Sequence, residues 1–239
     1  MGKFGIINRN LEFNKEPALN KITWSIFAAI TFGILALFVY VSNESRIDVS
    51  NVKLNTLQTA SKDNGNIGDN YFGDKESKVM VIEYADYQCP GCSGFAPIIK
   101  AAIAEYKDDV LFIFRNYPIS YHPNAKMAAS SALAAGLQGK FWEMHYKIYE
   151  NQQSWSELNI SDREDYFINL AKSLKLDIKK FKKDVKSEEV SQKIKFDQAL
   201  AGKAAVKATP TLFIDGKIVD LESSNTVDDL KKLIKSAIK

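Results

Sequence analysis

Cysteine is nearly absent from this chain: among 239 residues only Cys89 and Cys92 carry a thiol, so at most one internal disulfide is possible. Histidine is as scarce, with only His122 and His145. Their separation far exceeds the roughly three to five residues between zinc-finger histidines, which argues against a Cys2His2 site and leaves no metal expected. His122 reads as loop structure before a helix and His145 as a helix-face residue. A block of like charge is missing too. Lysine and arginine (32) barely outnumber aspartate and glutamate (29), for a net charge of +3, so no nucleic-acid footprint is expected. The densest run, Lys179, Lys180, Lys182 and Lys183, is broken by Phe181 and followed by Asp184, as on the wet side of an amphipathic helix. There is no internal repeat. A hydrophobic content of 46% is ample for a core, and the length allows one good-sized domain with additional segments.

Charge is also missing locally. From Ile22 to Val41 there is no ionisable acid or base, and the polar members are Thr23, Ser25, Thr31 and Tyr40. A helix of about 20 residues rising about 1.5 Å each covers the hydrocarbon of a bilayer. Trp24 and Tyr40 near its ends suit the headgroup region. The stretch exceeds the usual signal-peptide core of about 7–15 residues, and no A-x-A-like cleavage site follows, so a retained anchor is expected. Lys3, Arg9, Lys15 and Lys21 precede it, against Glu12 and Glu16, whereas Arg46 and Lys53 are the bases just after it. That bias orients the N-terminus inward. The expected organisation is a cytoplasmic tail over 1–21, a transmembrane anchor over 22–41, a polar linker over 42–70 and a domain over 71–239 outside the cytoplasmic membrane. Thiols can be kept oxidised there.

The domain opens with the apolar run Lys78 to Tyr84, of the kind that forms a buried strand. A helix is expected over Ser93 to Lys107, with Phe95, Ile98, Ile99, Ala102, Ile103 and Tyr106 at helical spacing and Pro97 as a kink. Val110 to Phe114 reads as a second buried strand. Strand, helix and strand with short links make a right-handed βαβ unit, whose ligands sit at the carboxyl ends of the strands. From about 123 to 206 the pattern is helical, an inserted subdomain in which Ser161 to Glu164 reads as a capping box. Thr211 to Ile214, the turn pair Asp215-Gly216 and Lys217 to Val219 read as a tight hairpin. A last helix over Val227 to Ile238 follows Thr226.

The cysteines occur as Cys89-Pro90-Gly91-Cys92, between the first strand and the first helix. At that spacing on a first helical turn the thiols can open and close as one pair. Only a thiolate attacks, and unpaired amides at a helix start favour a negative sulfur, so Cys89 is the expected nucleophile. Cys92, one turn inside, is the expected resolving thiol. Stabilising the thiolate makes the disulfide a stronger oxidant. Pro90 and Gly91 offer no side-chain donor for this, so the potential stays open.

These residues resemble the thioredoxin-fold thiol oxidoreductases, in their membrane-anchored or secreted DsbA-like branch. The resemblance spans about Tyr71 to Lys239. It rests on Val79 to Gln88 leading into the cysteine motif, Tyr121-His122-Pro123-Asn124-Ala125, Gln138-Gly139-Lys140-Phe141-Trp142, and Ala208-Thr209-Pro210-Thr211. It implies an α/β thioredoxin fold with a helical insertion and no cofactor. It also implies that Glu83 is the buried acid relaying protons to Cys92; the alternative is an outward-facing strand residue. Pro210 would be the cis-proline, with Thr209 offering backbone groups to an extended substrate and Pro90 and Gly91 lining the same surface. A departure is Gly91, where the best-known oxidase of the family has histidine. The expected function is insertion of disulfides into reduced exported proteins, with a quinone-linked membrane partner restoring the oxidised form. Alternatives are an extracytoplasmic reductase or isomerase, and an anchored binding module with a structural disulfide. A disulfide closing so short a loop removes little chain entropy, which weakens the last.

Overall fold

The computed structural model describes residues 21–44 and 47–239, with side chains in the first segment described for 23–38. Lys21–Glu44 is a helix, α1, and forms a unit separate from Ile47–Lys239. Its apolar side chains are exposed, Phe32 by 75% and Phe38 by 69%. Among the described residues no helix is long and apolar enough to cross a membrane, and the expected tail before Lys21 lies outside them.

The second unit is built on a five-stranded sheet in the order β1-β3-β2-β4-β5. Its strands are β1 (Asn70–Gly73), β2 (Val79–Ala85), β3 (Val110–Asn116), β4 (Thr211–Ile214) and β5 (Lys217–Ile218). β2 and β3 run parallel with α2 (Pro90–Glu105) as their crossover, and β1, β4 and β5 add antiparallel to their neighbours. α2 continues through Pro97 and begins three residues before the expected Ser93, because Pro90 loses no helix bond at the first position. Asp215 and Gly216 both take positive φ, 48° and 75°, as the tight β4–β5 turn demands.

The insertion comprises α3 (Ala125–Gly136), α4 (Phe141–Glu150), α5 (Gln152–Trp155), α6 (Ile160–Ser173), α7 (Ile178–Val185) and α8 (Glu188–Lys203), and α9 (Val227–Ile238) closes the chain. α6 starts earlier than the capping box suggested: Asn159 is its N-cap and accepts the Asp162 N–H at 3.0 Å. Asn159 competes successfully because asparagine and serine cap about equally well.

Strand alternation divides the core. Val79, Val81 and Ala85 of β2 and Val110, Phe112 and Phe114 of β3 face a cluster with α2, α3 and α4. Ile82, Tyr84, Leu111 and Ile113 face the other way, against α8 and the segment around Val49. Here the expected linker is corrected. From Ile47 onward the chain belongs to the domain, with Ile47, Val52, Leu54 and Leu57 packed on that second face. The Lys203 ammonium donates to the carbonyls of Val49, Ser50 and Val52 at 2.9, 2.6 and 2.7 Å. The polar composition concealed this because the apolar residues are spaced irregularly, and backbone carbonyls do much of the fastening.

The second face also buries four charges. Arg115, opposite Tyr84 in the β2–β3 register, donates to Asp69 at 2.9 Å, to the Tyr84 hydroxyl at 2.8 Å, and to the carbonyls of Leu54 and Thr56 at 3.0 and 2.8 Å. The Lys193 ammonium on α8 bridges Asp69 at 2.8 Å and Asp197 at 2.6 Å, and all four side chains have 0% exposure. Burial works against the charge on Lys193, but Asp197 and Asp69 outweigh it and hold its pKa above the ordinary value. Removing one member strands its partners in a medium that cannot solvate them. Lys193→Met should therefore destabilise the protein by about 3–5 kcal/mol, read as a lower urea midpoint. A loss below about 1 kcal/mol would mean the carboxylates are not relying on the ammonium.

Candidate active site

β2 ends at Ala85 and three residues carry the chain to Cys89, the N-cap of α2, in an extended conformation (φ −69°, ψ 122°). That position aims the first free amides of the helix at its side chain. Cys92, one turn on, points into the core with 0% exposure, whereas Cys89 is half-buried, and both are free thiols. The second loop of the site comes from the far end of the chain. Thr209-Pro210 is a cis peptide, and the Thr209 carbonyl oxygen lies 3.4 Å from Cys89 Sγ, within reach of its thiol form. A Cβ on Gly91 would lie 3.5 Å from Pro210 Cδ and 3.7 Å from Cys89 Sγ. The structure thus brings Cys89, Gly91, Thr209 and Pro210 onto one surface.

The two sulfurs have opposite environments. Hydrogen bonding from Cys92 is the main influence bringing the Cys89 thiol down to about 5; burial opposes it, and the Thr209 side chain and the Cys92 and Gly91 amides add to it. Among the described residues the Thr209 hydroxyl has no hydrogen-bond partner of ordinary geometry. Burial first, then the neighbouring Cys89 and Glu83, push the Cys92 thiol well up. At neutral pH one sulfur is a thiolate and the other keeps its proton.

Glu83 follows Val79 and Val81 on the α2-facing side of β2, beneath the dithiol. It is 2% exposed, its Oε1 has no hydrogen-bond partner among the described residues, and burial pushes its carboxyl up to about 8. It lines a cavity of about 210 Å³ with Ile99, Lys100, Phe112, His145 and Tyr146. The Lys100 ammonium sits 3.8 Å above the Tyr146 ring. His145 is buried against the Tyr87 hydroxyl at 2.9 Å, and burial, aided by Lys100, brings it down to about 3, so it is neutral. Among the described residues no acid, histidine and cysteine cluster could hold a metal.

Sequence reading missed the residues that hold the active-site loop. Gln152 on α5 donates to the carbonyls of Tyr87 and Cys89 at 2.7 and 2.9 Å. Gln88 donates to Ser156 O at 2.8 Å and accepts the Asn124 N–H at 2.7 Å. The buried Asp86 carboxylate binds His122 Nδ1 at 2.8 Å. Asp86 and Gln88 had a signal, being polar residues wedged between a buried strand and the motif. Gln152 had none, because only the fold of the insertion carries α5 to this loop.

A βαβ-centred sheet, a dithiol at the helix start and a facing cis-proline together define a thioredoxin-like redox protein. The family described as thioredoxin matches residues 65–236. The “Probable disulfide bond formation protein D” of Bacillus anthracis is 30% identical over 234 residues, covering 95% of this chain and 98% of that protein. The chain therefore belongs to the DsbA-like branch of the thioredoxin-fold family. A 35% identity over 152 residues relates 62% of it to the Na(+)/H(+) antiporter NhaA 1 of Mycolicibacterium gilvum, of whose length it spans 24%. The fold resembles that of oxidised BdbD from Bacillus subtilis, with a TM-score of 0.62 at 24% identity, covering 77% of this chain and 97% of that one.

Glu83 generates a pH-dependent expectation. In the unfolded chain its carboxyl ionises near about pH 4.3, but in the fold it keeps its proton to about pH 8. The stability due to this retained proton is full below the lower value and is lost as pH rises toward the upper one. Glu83→Gln, which cannot ionise, should gain stability over the reduced wild type by a few kcal/mol between about pH 5 and pH 8, measured by urea unfolding at both. An equal difference at the two pH values would mean that Glu83 is already ionised in the fold.

Proposed function

We propose that the protein is a membrane-tethered thiol–disulfide oxidoreductase that introduces disulfides into exported proteins. The observation that carries this reading is the contrast between the sulfurs: Cys89, half-buried beside the cis-proline loop, brought down to about 5, and Cys92, sealed and pushed well up. A low-pKa sulfur at the surface is both the atom that an incoming thiol can reach and a good leaving group.

In the oxidised enzyme a client thiolate attacks Cys89 Sγ, the Cys89–Cys92 bond breaks, and Cys92 leaves with the electron pair. Glu83, neutral up to about pH 8, supplies the proton that Cys92 takes up, and the cavity beside Lys100 and Tyr146 offers a route for its replacement. A second client thiolate then attacks the client sulfur of the mixed disulfide. The client disulfide forms, and Cys89 departs as the stabilised thiolate. Two electrons pass to the enzyme, and a quinone-linked membrane partner would accept them from the dithiol.

An extended client would lie across Pro90, Gly91, Thr209 and Pro210, as the family resemblance implies. The uncharged stretch from Ile22 to Val41 supports an anchor, with the N-terminal tail in the cytoplasm and the Ile47–Lys239 unit outside. A reductase or isomerase would use the same pair in the reverse sense. A purely structural disulfide gives no reason for so large a pKa difference.

Two measurements test the proposal. The redox potential of the purified full chain, set against glutathione, should lie toward the oxidising end of the thioredoxin-fold range, near about −120 mV; a value near about −270 mV would replace the oxidase reading by a reductase one. In cells, Cys92→Ser should trap exported proteins as mixed disulfides on Cys89, with at least about a tenfold excess over Cys89→Ser. Equal, background-level adducts in the two variants would remove the mechanism.

A further inference from the structure

Asp86 touches both halves of the dithiol through its backbone. Its N–H donates to Cys92 Sγ at 3.5 Å, and its carbonyl accepts the Cys89 N–H at 3.2 Å. Its side chain has 0% exposure and sits among donors alone: Oδ1 accepts the Gln88 N–H at 2.7 Å, and Oδ2 accepts the Ile119 N–H at 2.7 Å and His122 Nδ1 at 2.8 Å. Since carboxylate oxygens only accept, Nδ1 is the imidazole atom that carries hydrogen here. Two of these donors belong to the loop after β3 and one to the active-site loop itself. The carboxylate thus pins the residue whose amide faces the buried sulfur.

We propose that Asp86 is a positioning residue for the thiol exchange, acting through Cys92: its carboxylate, clamped by Gln88, Ile119 and His122, holds its own amide on the Cys92 sulfur, which makes the Cys92 thiol a stronger donor to Cys89. This rests on the redox reading above. The physical basis is cooperativity, since a thiol whose sulfur accepts a hydrogen bond is polarised to give its own hydrogen more readily. The chain runs Asp86 N–H to Cys92 Sγ–H to the Cys89 thiolate. Donation from Cys92 is the largest influence on Cys89, so whatever tunes that donor tunes the nucleophile. Glu83 faces the same Cys92 sulfur from beneath, and the Thr209 side chain faces Cys89 from the other loop. Neither needs Asp86 for its position, so both stay constant in the comparison.

The sign separates positioning from simple charge. A carboxylate acting only by its field would raise the Cys89 pKa, and removing it would lower that value. Loss of the clamp should do the opposite. In the reduced full-length protein, titrated by ultraviolet thiolate absorbance, Asp86→Ala should raise the Cys89 midpoint by at least about half a pH unit. Equilibrium with glutathione should shift about threefold toward the enzyme disulfide. Asp86→Asn can keep the Ile119 and His122 bonds by turning its carbonyl toward them, and should shift less. His122→Ala, which removes one clamp from outside the active-site loop, should move the midpoint in the same direction. In a Cys92→Ala background, where no thiol remains to be polarised, Asp86→Ala should no longer raise the Cys89 midpoint.

The inference is overturned if folded Asp86→Ala titrates like wild type, if the midpoint falls, or if the shift persists without Cys92. If Asp86→Ala does not fold, His122→Ala carries the test alone, and an unchanged midpoint there is equally decisive. A wild-type protein that does not exchange with glutathione at all would instead remove the redox reading, so the two failures are distinguishable.

Discussion

Cys89 is held ionised by donors that converge on it while its partner stays protonated, and the remaining architecture serves that asymmetry. The helix start supplies the amides, Pro90 begins the helix without wasting a donor, and Cys92 falls one turn in, where only the core can surround it. Two identical side chains three residues apart thereby become different reagents. The difference is one of solvation and hydrogen bonding, since the covalent chemistry of the two thiols is the same.

The sheet gives its two faces contrasting electrostatic tasks. Toward α2 it presents the carboxyl of Glu83, with an oxygen that no group among the described residues satisfies, in a setting of Phe112, His145 and Tyr146. Such a group remains buried only by keeping its proton. Toward α8 it presents Arg115, and there a different solution holds: basic and acidic side chains are matched within hydrogen-bonding distance. The matched set ties together β3, α8 and the segment before β1, three elements distant in sequence. An apolar cluster of the same volume could be as stable, but it would fix their mutual orientation less sharply.

The insertion contributes to the chemistry as well as to the core. Gln152, Asn124 and Ser156 all lie between β3 and β4 in sequence, yet their polar groups fasten the loop that carries Cys89. The carbonyls of Tyr87 and Cys89 are thereby satisfied although neither residue belongs to a helix or a strand. Asp86 completes this scaffold from the strand side, with His122 as one of its clamps.

Local sequence carried the elements whose signals are local. The period-two and period-three-and-four patterns yielded the strands, the crossover helix, the hairpin and the helical insertion, because each reflects which side of one element is wet. The cysteine motif at a strand-to-helix junction yielded the more exposed thiol at the helix start and the buried one a turn inside, since the spacing and the helix start lie in consecutive residues. Tertiary structure alone decided the rest. Residues 47–57, polar in composition, are fastened to the domain by Lys203, about 150 residues away. Asp69, Arg115, Lys193 and Asp197 look like ordinary surface charges until folding removes water from all four. Asp86 and His122, 36 positions apart, meet only because two parallel strands end side by side. Periodicity reports a residue's exposure to solvent and carries no record of which distant group replaces that solvent, so the partners of buried polar atoms become visible only in three dimensions.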